Sequence, residues 1–390
     1  MAIGYSPKIV TEGLALYYDV DNVKSYKGEP TTNLTTDTPS QSGWQGTYSV
    51  VDSSTKTFLI TTQQDTASIG SAWRTFYWSV SSYIGSYITI SADVEFVSET
   101  NCTFRDITIG QGNTGQYPTH ITGSDALDKV VNSNKPVDKT RMTWSGVINA
   151  TGLVGFTYWI NNVTVNGANS VLKISNVQIE GKPHATSFVN GTRSVTQGLL
   201  DLTGTSTIDI GGTSFNASSE IFFDGTDDWI LLTRRQYAVA EAWTAELIVN
   251  PSDAADTSWN GIFGGDLNVG GYWMFHGGGN LTYYEGYWNP TTKIAYTGLL
   301  LGNHFPANTN KHLTITYDGA GRYNIYINGV QAGGFDWTHT GTYSLDLRYV
   351  GGPAARYGTV QVPLMKMYDG TLTPTQISSN FNAIRSRFNI

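Results

Sequence analysis

The segment 315–331, ITYDGAGRYNIYINGVQ, constrains this chain more than any other. Leading into it, Leu313, Ile315 and Tyr317 share one phase and His312, Thr314 and Thr316 the other; after Gly321, Tyr323, Ile325 and Ile327 alternate with Asn324, Tyr326 and Asn328. A period of two is the signature of a strand with one face turned to a core. Asp318-Gly319 and Gly321 supply the backbone freedom of a tight loop. Asn328-Gly329 is the pair a type I′ turn demands, because both of its central residues need φ > 0. Two antiparallel strands followed by a second turn are therefore expected here, with His312 on a solvated outer face.

The same reading extends along the chain. Residues 87–97, YITISADVEFV, put Ile88, Ile90, Ala92, Val94 and Phe96 on one side and Thr89, Ser91, Asp93 and Glu95 on the other. Short strands are predicted at 57–61, 143–148, 156–160 and 171–179. In the last, the apolar phase switches between Ile174 and Val177, which predicts a bulge near Ser175. Glycine is abundant (43 residues) and proline is not (12), so turns are frequent without polyproline linkers. One helix is predicted, at the C-terminus: Thr373-Pro374-Thr375-Gln376 is a capping box with proline at the first helical position, and Ile377, Phe381, Ile384 and Phe388 follow at helical spacing. Short strands with Gly, Asn and Ser punctuation indicate β-sandwiches.

Bulk properties exclude several classes. The net charge is −8 with no basic stripe, so nucleic acid is not expected as a partner. No apolar run reaches the ~20 residues of a membrane span. The opening MAIGYSPKIVTEG lacks the basic and apolar regions of a signal peptide, which points to folding in a cytoplasm. Cys102 is the single cysteine, so no disulfide framework within the chain is expected.

Residues 13–26 (GLALYYDVDNVKSY), LLDLTG at 199–204, FFDGTDDWILL at 222–232, WTAELIVNP at 243–251, the 313–331 hairpin, LRYVGG at 347–352 and the closing helix resemble, in order and spacing, the concanavalin A-like, laminin-G-like family. The first two pieces are separated by a long stretch ending in QIEGKPHATSFVNGTRS (178–194), which is similar to the closing segment of carbohydrate-binding jelly-roll modules in bacteriophage virion proteins. The expected fold class is all-β: two antiparallel β-sandwiches with a short C-terminal helix. A discontinuous concanavalin A-like/laminin-G-like domain is expected at 1–28 plus 195–390, with a jelly-roll module inserted at 29–194, against the alternative of two consecutive domains with an N-terminal arm. The resemblance implies a virion surface protein (tail fibre, head fibre or decoration subunit) on the virion exterior.

Catalytic signatures are missing from the sequence. The E-x-D-x-x-E spacing of related glucanases is absent: Glu246 has no acidic partner at that spacing, and Glu285 stands alone. The six histidines show no metal-ligand spacing, and no G-x-S-x-G, H-E-x-x-H or C-x-x-C occurs. A non-enzymatic protein is expected. Asp224, Asp227 and Asp228 form the one dense acidic cluster. The resemblance makes them candidates for calcium, against the alternative that DGTDD simply builds a turn. The leading candidates for binding glycan are Trp259, Trp273, Tyr283, Tyr284, Tyr287 and Trp288, set among glycines and amides. Aromatic faces stack on the C–H face of a sugar while amides and carboxylates take its hydroxyls; the competing reading is that these rings pack a core or an interface. Trp73, Tyr77 and Trp78 are a second candidate group. The expected partners are other virion proteins, further copies of this chain in a homo-oligomer, and host surface polysaccharide. The alternatives are a purely architectural subunit without ligand and, less favoured, a polysaccharide depolymerase.

Overall fold

The computed structural model describes residues 8–43, 46–64, 71–112, 129–161, 168–218, 220–251, 259–266, 271–276, 280–285, 296–299, 305–352 and 357–390. The chain forms two compact units. One comprises Met1–Glu29, Ser194–Asn216 and Glu220–Ile390; the other comprises Pro30–Arg193 with Ala217–Ser219.

The first unit is a sandwich of two antiparallel sheets. In spatial order its six-stranded sheet runs Leu14–Asp19, Val360–Asp369, Trp243–Pro251, Lys311–Tyr317, Arg322–Ile327 and Val330–Asp336. The seven-stranded sheet runs Ile208–Asp209, Ile230–Ala238, Tyr343–Val350, Trp259–Gly264, Gly271–His276, Asn280–Glu285 and Tyr296–Leu299. The first strand of the chain thus lies beside its last, with Tyr17 opposite Lys366. The predicted hairpin is present, with Leu313, Ile315 and Tyr317 facing Ile327, Ile325 and Tyr323. Asn328 and Gly329 sit at φ of 50° and 77°, as a type I′ turn requires.

Aromatic rings dominate the core between these sheets. Trp243 is fully buried, with ring centroids 6.1 Å from Tyr317 and 5.9 Å from Tyr323. Its indole N–H donates to Ser344 Oγ at 3.1 Å, which satisfies the polar edge of an otherwise apolar group. The 199–204 turn is organised by Asp201, which sits against the free edge of the first strand. One carboxylate oxygen accepts the N–H of Tyr17 at 2.9 Å and that of Thr203 at 3.0 Å; the other accepts Thr205 and Ser206 at 3.0 and 2.9 Å.

The helix Pro374–Ile384 carries the expected capping box from Thr373 and Gln376. It covers the outer face of the six-stranded sheet: Ile377 packs with Tyr326, Tyr368 and Leu372, and Ile384 and Phe388 with Tyr17, Ile248 and Leu364. This corrects the expectation for His312. Its ring lies 5.6 Å from that of Phe381 and is completely buried. Alternation shows which residues share a face, but not that a helix from the far end of the chain covers it. Beneath the helix, Glu246, His312, Lys366 and Asn380 are all fully buried. Glu246 Oε1 lies 2.7 Å from Lys366 Nζ and 3.0 Å from His312 Nε2, and Oε2 accepts from Asn380 Nδ2 at 2.6 Å. Burial alone would raise the Glu246 carboxyl; the Lys366 ammonium and the His312 hydrogen bond outweigh it and hold the group at about 2.

The second unit is also a sandwich, built from two five-stranded sheets. One runs Thr140–Val147, Tyr87–Thr100, Ala168–Glu180, Thr57–Gln64 and Gly46–Asp52; the other runs Ser40–Gly43, Ser71–Ser79, Leu153–Asn161, Thr103–Gln111 and Lys129–Asn132. Ile88, Ile90, Ala92 and Val94 enter the core as read, against Ile107, Ile109, Phe156 and Tyr158. The register slips between Ser175 and Gln178, and Asn176 takes φ of 51°, so the bulge stands where the phase switch placed it. The segment that closes this unit folds over a buried carboxylate: Glu180 accepts the N–H and hydroxyl of Thr186 at 2.8 Å each, Gln178 Nε2 at 2.9 Å and Thr31 Oγ1 at 2.8 Å.

Candidate functional site

Two of the six leading ring candidates are core residues. Trp273 and Tyr283 face each other across paired strands, their rings 5.1 Å apart, and neither exposes any surface. The Tyr283 hydroxyl donates to the Ser344 carbonyl at 2.9 Å. Their assignment to glycan is therefore corrected: a ring fully enclosed between two sheets has no face for a sugar. Trp259 opens the Trp259–Gly264 strand, and Tyr284 pairs with Tyr272 in register. Tyr287 and Trp288 lie outside the described residues.

The second candidate group divides by strand phase. Trp78 points into the core of its unit, and its indole N–H donates to the Thr36 carbonyl at 3.1 Å, so it too is corrected. Trp73 and Tyr77, two and four residues apart from Thr75 and Trp73 along the same strand, belong to the opposite face and are half-buried.

Register brings Trp73 a partner that sequence spacing could not supply. Trp159 lies directly across from Trp73 on one side and from Asp106 on the other. The two indoles are 5.9 Å apart at 38°. The exposed Arg105 guanidinium lies 4.6 Å from the Trp159 ring centroid and 3.1 Å from Asp106 Oδ2. The next rows on this face are Thr75, Thr157 and Thr108, then Tyr77, Gly155 and Gly110. The result is a pair of half-buried indoles with the guanidinium over the Trp159 ring, a carboxylate beside it and a buried threonine row next to them. Flat rings match the apolar face of a pyranose, and the guanidinium and carboxylate can donate to and accept from its hydroxyls. Trp159 had a sequence signal that went unused: it is out of phase with Phe156, Tyr158 and Ile160, so it leaves the core.

The acidic cluster is real. Asp224, Asp227 and Asp228 each bring one oxygen within 4.8 Å of the others. Two of these carboxylates already serve the turn: Asp228 accepts the Asp224 N–H at 2.6 Å, and Asp224 accepts the Thr226 N–H at 2.7 Å. That Thr226 N–H lowers the Asp224 carboxyl, whereas burial, with the charge of Asp224, raises Asp228. Calcium requires about six to eight oxygens, so these three side chains would need backbone carbonyls or water to complete the shell. Thermal unfolding across a calcium titration separates the readings. An ion held by the folded state raises the midpoint with its concentration; an unchanged midpoint leaves the aspartates as a turn.

Glu246, the acidic residue nearest in kind to a glucanase carboxylate, is enclosed beneath the C-terminal helix, out of reach of a polymer chain. Among the described residues no helix is long and apolar enough to cross a membrane.

No curated protein matches the sequence. Among solved structures, the chain is similar to the ligand binding domain of botulinum neurotoxin serotype D in complex with N-acetylneuraminic acid, at 16% identity and a TM-score of 0.39, covering 48% of this chain and 49% of that one. It is similar to the receptor binding domain of botulinum neurotoxin D (16% identity, TM-score 0.38, 48% and 50% covered) and to the binding domain of Paraclostridial Mosquitocidal Protein 1 (16%, 0.38, 47% and 49%). The chain spans about half the length of each of these. Residues 224–378, within the first unit, match the family model described as the concanavalin A-like lectin/glucanases superfamily.

Proposed function

We propose that this chain is a non-enzymatic bacteriophage virion surface subunit, a tail fibre, head fibre or decoration protein, whose second unit attaches to host surface polysaccharide. The observation that carries the glycan reading is the half-buried Trp73–Trp159 pair, with Arg105 over the Trp159 ring and Asp106 beside it. The virion reading is supported by the resemblance of the 178–194 segment to the closing segment of jelly-roll modules in phage virion proteins. A homo-oligomer belongs to the same proposal. Each indole pair offers few contacts, and display of many copies multiplies weak single-site affinity.

The test is a glycan array and binding to host cells with and without surface polysaccharide, using the full chain and Trp159→Ala. Binding that depends on the polysaccharide and falls about tenfold in the variant, ~1.4 kcal/mol, supports the proposal. A folded variant that binds as well as the parent removes the indole pair from it.

One observation favours the architectural alternative for the first unit. With Trp273 and Tyr283 enclosed in its core, that sandwich spends rings on its own packing that a lectin site would need at the surface. Clean negatives on host cells and arrays, with the chain located on intact particles by electron microscopy, would establish a scaffold without ligand.

A further inference from the structure

The buried group beneath the C-terminal helix holds more than an ion pair. One carboxylate, Glu246, bridges an amine and a primary amide: Oε1 lies 2.7 Å from Lys366 Nζ, and Oε2 lies 2.6 Å from Asn380 Nδ2. The amide oxygen is engaged as well, since Asn380 Oδ1 accepts the backbone N–H of Val10 at 2.7 Å. Lys366, Glu246 and Asn380 expose no surface. Their surroundings are aromatic: Tyr368 OH lies 3.0 Å from Asn380 Nδ2, the Tyr17 ring 5.6 Å from Lys366 Nζ, and the Phe381 ring 5.6 Å from that of His312.

We propose that Lys366 and Asn380 become joined by an intramolecular isopeptide bond, with Glu246 as the group that moves the protons. The Lys366 ammonium gives a proton to Glu246 Oε1 along their hydrogen bond. The freed lone pair on Nζ attacks Asn380 Cγ and forms the new C–N bond. The carbonyl electrons move onto Oδ1, where the Val10 N–H faces the developing negative charge, as an oxyanion-hole donor does. Glu246 passes its proton to Nδ2, the Cγ–Nδ2 bond breaks, and ammonia departs. The new amide nitrogen keeps one hydrogen and releases the other through Glu246, so the leaving group exits as ammonium and the carboxylate is regenerated. Nothing is oxidised or reduced, and no co-reactant is required.

Burial provides the reason this can proceed. Two charges held out of water are each costly, and transfer of one proton between them leaves two neutral partners. The 2.7 Å contact between Lys366 Nζ and Glu246 Oε1 is the path of that transfer. The reaction occurs once per chain and needs no turnover rate. Rigid placement of amine, carboxylate and amide supplies the proximity that a bimolecular aminolysis lacks. The bond would tie the strand Val360–Asp369 to the helix Pro374–Ile384.

Mass spectrometry of the full chain tests this. The intact, denatured protein is expected to weigh less than its sequence by one ammonia. Trypsin, which should cut after Lys366, is expected to leave one uncut peptide spanning 357–385 that carries the same loss. Glu246→Gln is expected to return the chain to full mass with normal cleavage at Lys366. A wild-type chain of full mass cut normally after Lys366 overturns the proposal. So does an ammonia loss with normal cleavage, because that marks a succinimide at an asparagine. Should Glu246→Gln fail to fold, the wild-type peptide map still decides.

Discussion

Replacing Trp243 by alanine is expected to destabilise the first unit by about 3–5 kcal/mol, the usual cost of emptying a large buried aromatic site. Trp243 is the hinge of the aromatic core: it contacts Tyr237, Tyr317 and Tyr323 and sits on the Trp243–Pro251 strand, which pairs on both sides. Truncation removes the ring, opens a cavity among rigid neighbours that relax poorly, and leaves Ser344 Oγ without the indole N–H. Urea unfolding of the full chain measures the loss, with hydrogen exchange in 243–251 identifying the transition that belongs to this unit. A shift below about 1 kcal/mol would mean that the core collapses around the gap and is far less tightly packed than these ring contacts indicate.

Asp201→Ala is expected to cost about 3 kcal/mol, because one substitution strands several backbone donors at once. The N–H groups of Tyr17, Thr203, Thr205 and Ser206 all point at this carboxylate. The sign of its pH dependence follows. Burial raises the Asp201 carboxyl, but the Thr203 hydroxyl and the converging N–H groups outweigh that and hold it below its ordinary 3.8. A carboxyl whose folded value is depressed contributes stability that is fully present above the unfolded value and is lost as pH falls through the folded one. The difference in stability between parent and Asp201→Ala should therefore be constant above pH 3.8 and shrink below it. A difference that instead widens on acidification would show that the carboxylate is not the acceptor holding this turn.

Much of the fold was legible because local rules carried it. Period-two alternation placed the hairpin strands, Asn328-Gly329 placed their turn, and the phase switch near Ser175 placed the bulge. The capping box at Thr373 located the start of the helix to the residue, while the apolar spacing ran on to Phe388, four residues past its end at Ile384. In each case the determining physics acts between neighbours in sequence. The candidate site was legible only in part. Trp73 and Tyr77 were singled out, but Trp78, one residue on, turned to the core, and Trp159 and Arg105 were missed. The leading cluster failed for a related reason. Aromatic density between glycines marks a wet platform and an aromatic core equally well, and Trp273 and Tyr283 proved to be core.

His312 shows where sequence reasoning stops. Its phase, opposite to Leu313 and Ile315, was read correctly, and its burial could not be. The sequence by itself determined an all-β chain with one capped terminal helix, because backbone geometry and hydrophobic period are properties of short segments. Only the tertiary structure decided that the helix lies on the sheet over Glu246, Lys366 and Asn380, and that Trp159 lies beside Trp73. Those neighbours meet through docking and strand register, where contact is set by burying apolar surface between distant segments and leaves no periodic mark in either of them.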